Sequence, residues 1–158
     1  MVISDGATVK VDNDDAAAVT LADASGNEDG GPITVTATLD NAVQGGFTVD
    51  VSTADATATV ADSDYSAVVN QTLTFTGTAG ETQTFTVTPT ADTKLEANEM
   101  ITVSQSNLAA TTLGVMITDG ATVTVSNDDS AAVTVADPSG NENGVPITVT
   151  ATISEDQT

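Results

Sequence analysis

Cysteine, histidine, tryptophan and arginine are all missing from the 158 residues, and the two cations, Lys10 and Lys94, face 23 acidic residues for a formal net charge of −21. Without cysteine there is no disulfide and no thiol nucleophile. Without histidine there is no imidazole base, which excludes Ser–His–Asp chemistry and, with the thiols, the soft-ligand sites of zinc, copper and iron–sulfur clusters. Without arginine nothing forks onto phosphate, and two lysines make no basic stripe, so nucleic acid and anionic membranes are poor partners and none is expected. No apolar run approaches the ~20 residues of a membrane span, so no membrane insertion is expected. Aromatics are 3% of the chain, so a core must rest on Val, Ile, Leu and Ala. What remains is oxygen chemistry. So large a carboxylate excess repels itself in a compact state, and hard divalent cations relieve that repulsion, with calcium the leading expectation.

The chain repeats itself. Residues 3–38 return at 117–152, an offset of 114, with 28 of 36 pairs identical. Such similarity means tandem modules. The alternating pattern stops and restarts after each Asn-Asp-Asp, which places a complete module at 16–129. It is flanked by residues 1–15, the terminal strand of a preceding module, and residues 130–158, the first two strands of a following one. The opening Met1-Val2-Ile3-Ser4-Asp5 has neither the basic nor the apolar region of a secretory signal, so the expectation is a segment internal to a longer chain.

Within the module the apolar period is two. At 33–39 odd positions are apolar and even ones threonine, the mark of a strand with one buried and one wet face. The same alternation, or a short apolar run, appears at 19–21, 47–51, 73–76, 85–88, 101–104 and 121–125. Turn signals fall between them at Ser25-Gly26-Asn27, Gly45-Gly46, Gly77-Thr78-Ala79-Gly80 and Asp119-Gly120. No window reads as a long amphipathic helix. About seven short strands in about 110 residues predict an all-β, immunoglobulin-like β-sandwich.

Four acidic clusters lie outside the strands, where loops of a sandwich converge: Glu28 in Gly26-Asn27-Glu28-Asp29-Gly30, Asp62-Ser63-Asp64-Tyr65, the run from Asp92 through Glu96 to Glu99, and Asn127-Asp128-Asp129. Oxygens from several loops, including carboxylates, are what calcium needs. The order of these clusters and strands resembles the Calx-β domain: a Glu in the first loop, Asp64-Tyr65 before Leu73-Thr74-Phe75, Asp92 with Glu96 and Glu99 leading into Ile101-Thr102-Val103-Ser104, and a last strand ending in Asn127-Asp128-Asp129. Calx-β domains occur in sodium–calcium exchangers and bacterial surface proteins. The resemblance implies a two-sheet sandwich and calcium at one tip, held by Glu28, Asp64, Asp92, Glu96, Glu99, Asp128 and Asp129. Asn127 completes the set where the exchanger pattern has the first member of an acidic triplet. That pattern also has a carboxylate beside Asp92, where this chain has Ala91 and Thr93, so one or two ions are expected rather than a full cluster.

Other calcium motifs do not fit. A twelve-residue EF-hand loop begun at Asp12 puts Ala17 at the turn glycine, and one begun at Asp62 puts Ala67 there and Leu73 at the closing glutamate. Glu96 and Glu99 have neither the aromatic platform nor the cleft that glycoside hydrolysis uses, and no enzyme activity is expected. The alternative for the acidic loops is solvated charge that keeps the protein soluble. Tyr65 is expected to pack at a loop base with its hydroxyl hydrogen-bonded. Threonine is about a fifth of the chain. Rows such as Thr34-Thr36-Thr38 and Thr84-Thr86-Thr88 are good β-formers for a wet face, with an adhesive or ice-binding face as the other use. Asn70-Gln71-Thr72 is a glycosylation sequon, of consequence only in a eukaryotic secretory host.

The expected function is a calcium-stiffened spacer module in a tandem-repeat adhesin or surface protein, extracellular and bacterial. Its partners are neighbouring modules of the same chain, with head-to-tail self-association through the incomplete flanks. A sugar-, protein- or ice-binding module and an exchanger-like calcium sensor are the alternatives.

Overall fold

The structure, a computed structural model, describes residues 6–111 and 113–156. Residues 1–5 of the expected preceding-module strand, and residues 157–158 of the following module, lie outside the described residues. The strands are β1 (Ala17–Leu21), β2 (Ala24–Asn27), β3 (Ile33–Leu39), β4 (Phe47–Asp55), β5 (Tyr65–Ser66), β6 (Gln71–Phe75), β7 (Thr82–Pro89), β8 (Glu99–Ala109), β9 (Val115–Met116), β10 (Ala121–Ser126), β11 (Ser130–Val135) and β12 (Ala151–Asp156), with one 3-10 turn at Glu28–Gly30. Two five-stranded sheets, β5-β7-β3-β1-β9 and β2-β10-β8-β4-β6, stack as a sandwich, and β11-β12 stands as a separate two-stranded sheet.

The alternation fixes which face goes inward. In β3 the buried residues are Ile33, Val35, Ala37 and Leu39, with the threonines between them on the other face. Val49 and Val51 of β4, Val87 of β7, Ile101 of β8 and Val123 of β10 close the core from both sheets, all essentially without exposure. Phe47 and Phe75 stack across β4 and β6 with ring centroids 5.0 Å apart. The wet face of the first sheet carries a threonine ladder, Thr34 opposite Thr86, Thr36 opposite Thr84 and Thr38 opposite Thr82. Threonine suits such a pleated surface.

All seven strands expected from the alternation are present, and several are longer. One expectation is corrected. Ser25-Gly26-Asn27 is not a turn but part of β2, which pairs in parallel with β10 after the chain crosses between sheets at Ala22 and Asp23. Pairing overrides the turn propensity there, and Gly26 is needed because a Cβ would stand 2.8 Å from Ile33 Cγ1. Within 1–15, residues 6–15 form no strand. Among the described residues no helix is long and apolar enough to cross a membrane.

Candidate metal centre

Four segments end at one tip of the sandwich: the 3-10 turn after β2, the turn before β5, the loop joining β7 to β8, and the end of β10. Glu28 opens the 3-10 turn and is the one buried charged side chain among the described residues, 8% exposed. Asn127 holds it from across the tip, donating from Nδ2 to Glu28 Oε1 at 2.9 Å and to the Lys94 carbonyl at 3.1 Å. The backbone N–H of Asn127 in turn donates to Asn98 Oδ1 at 3.2 Å.

Asp64 is set by a tight turn. Its Oδ2 accepts the Thr59 N–H at 2.6 Å, its N–H donates to the Thr59 carbonyl at 3.1 Å, and Ser63 takes a φ of 71°. The Thr90 N–H donates to the Asp64 carbonyl at 2.9 Å, joining this turn to the next loop. Tyr65 packs at the loop base, buried, its hydroxyl donating to Asp55 Oδ1 at 2.7 Å. In the 90–98 loop the Lys94 N–H donates to Asp92 Oδ1 at 2.7 Å, while the Lys94 ammonium pairs with Glu96. Glu99 begins β8 opposite Val125 of β10.

Glu28, Asp64, Asp92, Glu96, Glu99 and Asn127 line one small concavity with Thr90, Ala97 and Val125. Asp128 and Asp129 adjoin it through Glu28: the Asp128 backbone hydrogen-bonds the Glu28 carboxylate, and the Asp129 charge acts on it. The tip thus brings together all eight residues singled out in the sequence. It also brings in four that sequence reasoning passed over, namely Asp62, Thr90, Lys94 and Asn98. Asp62 and Lys94 sat inside the acidic clusters, but spacing alone did not mark them, and Thr90 and Asn98 enter through loop hydrogen bonds that no periodicity encodes.

The electrostatics show an excess of negative charge. Burial pushes the Glu28 carboxyl above its usual range, helped by Asp92 and Asp129 and opposed by the hydrogen bonds from Asn127 and Asp128. Burial also raises Glu99, with Asp64 and Asp62 adding to the rise and Lys94 opposing it. Both shifts come first from burial and second from neighbouring carboxylates. One ligand oxygen from each of Asp64, Glu96 and Glu99 lies within 4.8 Å of the others. Oxygens around an ion at 2.3–2.6 Å stand no more than about 5 Å apart, so the donor set fits a hard cation in type and spacing.

The Calx-beta domain family matches residues 12–138. Among solved structures, the apo-form Calx CBD1 domain is similar at a TM-score of 0.60 and 19% identity, covering 71% of this chain and 97% of that one. The calcium binding domain CBD12 of CALX1.1 is similar at 0.57 and 21%, and CBD12 from CALX1.2 at 0.58 and 19%, each covering 70% of this chain. The chain spans 44% of the length of either of these two. At such identities the likeness shows the fold. No curated protein matches the sequence. The match of a single family across most of the chain, on a sandwich with its acidic tip, makes this protein a member of the Calx-beta domain family.

Proposed function

We propose that this protein is a calcium-binding module of a tandem array in a large extracellular bacterial surface protein or adhesin, where the ion stiffens the junction between modules. The observation that carries the calcium reading is the convergence of Asp64, Glu96 and Glu99 within 4.8 Å, ringed by Glu28, Asp92 and Asn127. Four chain segments meet there, so an ion would tie them together and add its binding free energy to folding. Calcium suits the set better than magnesium, which keeps more of its waters and demands stricter octahedral geometry.

Placement supports the spacer reading. Asn127, Asp128 and Asp129 end the module, and β11 begins at the next residue, Ser130. Fixing those three residues would fix the direction in which the following strands leave. The absence of cysteine and the internal repeat agree with a long, surface-exposed bacterial array. A sensor role would use the same tip with a different readout; the similar CBD12 of CALX1.1 is itself a calcium binding domain.

Isothermal titration of the chain with calcium tests the binding. The expected result is one or two ions per chain, lost in Glu99→Gln. Small-angle scattering of the same sample in calcium and in EDTA separates spacer from sensor, since a spacer becomes longer and stiffer with calcium. No heat of binding, with a normally folded chain, would refute the reading.

A further inference from the structure

Asn127, Asp128 and Asp129 are all that separates β10, the last strand of the module, from β11, the first strand of the next. Asn127 is held by the module behind it, through its bonds to Glu28, Lys94 and Asn98. Ser130 is held by the module ahead, since it pairs with Asp156 across β11-β12. Only Asp128 and Asp129 span the gap.

The same joint recurs in front of the module, where Asn13, Asp14 and Asp15 copy Asn127, Asp128 and Asp129 at the offset of 114 and Ala16 stands for Ser130. Here the ladder of β1 with β3 stops short, at Val19 opposite Leu39. Side chains take over from it. Asp40 Oδ1 accepts the Ala18 N–H at 2.7 Å, the Asp40 N–H donates to the Ala18 carbonyl at 3.1 Å, and Asn41 Nδ2 donates to the Ala16 carbonyl at 3.0 Å. On the other side β9 runs parallel to Ala17 and Ala18. Asn13, Asp15 and Ala16 line one groove with Val43, Leu113 and Val115, so the end of the preceding acidic triplet sits on this module's loops. The repeat breaks at the two bracketing positions, whose counterparts are Ser154 and Glu155. An ionised glutamate has no N–H to give, and there the ladder reaches Ser130 instead. Two unlike sets of residues thus anchor the residue that follows the acidic pair.

We propose that Asp40 and Asn41 are positioning residues for the joint: they clamp the chain to this module directly after the acidic pair, without an ion, so that Asp14 and Asp15 are the whole of the hinge. The consequence rests on the tandem-array reading. Each residue left unclamped keeps two soft dihedrals, so the clamp removes those of Ala16 and Ala17 from the joint. An ion at the preceding tip that ordered the acidic pair would then order one module against the next. With the clamp open, slack would extend to Ala18, and the same ion would no longer set the direction in which this module leaves.

Backbone nitrogen relaxation and amide exchange of the full chain in EDTA test the clamp. In the parent the heteronuclear NOE at Ala16 and Ala17 is expected at the level of β3, with the Ala18 amide protected from exchange. Asn41→Leu removes the donor and adds no charge, and the NOE at Ala16 should fall toward that of the chain terminus while Ala18 stays protected. Adding Asp40→Ala should speed Ala18 exchange by about tenfold or more. The melting temperature and the NOE across β3 and β8 should stay those of the parent, because the clamping bonds are exposed. A parent whose Ala16 is already as mobile as the terminus would overturn the proposal. So would variants that lower the melting temperature without any local change, which would leave the pair a purely structural role. Because no ion is present, failure here leaves the calcium reading standing, and a failed calcium titration leaves the clamp standing.

Discussion

Asn127 Nδ2 donates to Glu28 Oε1 across 2.9 Å, tying together the ends of two parallel strands that lie 99 residues apart in the chain. The amide stands where a carboxylate would meet a buried carboxylate already crowded by Asp92 and Asp129. Replacing it by Asn127→Asp removes the donor and adds a charge. The variant should lose about 1–3 kcal/mol of stability in EDTA and recover more than the parent on adding calcium. Paired melting curves of the two chains, with and without calcium, check both signs.

Among the described residues Lys94 is the only cation at the tip, and it pairs with Glu96, one of the three carboxylates that converge. A calcium ion would have to displace it or share that carboxylate. Lys94→Met should therefore tighten calcium binding by about two- to fivefold, the worth of one exposed ion pair. Titration calorimetry of the variant against the parent measures this.

The two ends of the sandwich respond to pH with opposite signs. Beyond the far end of β6, Glu81 accepts the backbone N–H groups of Thr76, Gly77 and Thr78 and the Thr76 hydroxyl, which hold its carboxyl at about 2. A depressed carboxyl contributes stability that is present above its unfolded value and lost as pH falls toward about 2. Glu81→Gln should lower the melting temperature at neutral pH, with the gap to the parent closing as pH drops from 4.5 to about 2. At the tip, Glu28 and Glu99 are raised, so the metal-free protein loses stability as pH climbs above 4.5 through their raised values. Calcium competes with those protons, so its stabilisation should grow over the same interval. Melts from pH 3 to pH 8, in EDTA and in calcium, read both trends.

Gly77 has a φ of +93°, and a Cβ there would run into the Val43 carbonyl oxygen. That close approach seats the Val43 N–H on the Gly77 carbonyl at 2.9 Å. Gly77→Ala should cost about 2 kcal/mol or more, through backbone strain and displacement of the turn. Chemical denaturation at neutral pH gives the figure, and calcium stabilisation should survive because this turn lies away from the tip.

Much of the architecture was legible because one face of each main strand is buried: Ile33, Val35, Ala37 and Leu39 alternate with threonine, and that period admits one arrangement. β2 was not legible, since Ala24-Ser25-Gly26-Asn27 carries turn residues and becomes a strand only through β10. Residues 7–12 copy β10 in sequence and form no strand here. At the tip, the acidic positions followed from their order along the chain. The hydrogen bonds of Asn98 and the placement of Lys94 depend on how loops settle against one another, which neither period nor spacing records.

The calcium tip is tested most directly by thermal melts of the chain in EDTA, in millimolar calcium and in millimolar magnesium, repeated with Glu99→Ala. A ligand that binds only the native state must stabilise it. The prediction is a rise of several degrees with calcium, little with magnesium, and none in the variant. Superimposed curves for the parent chain in all three conditions would contradict the account and leave the acidic tip as solubilising charge.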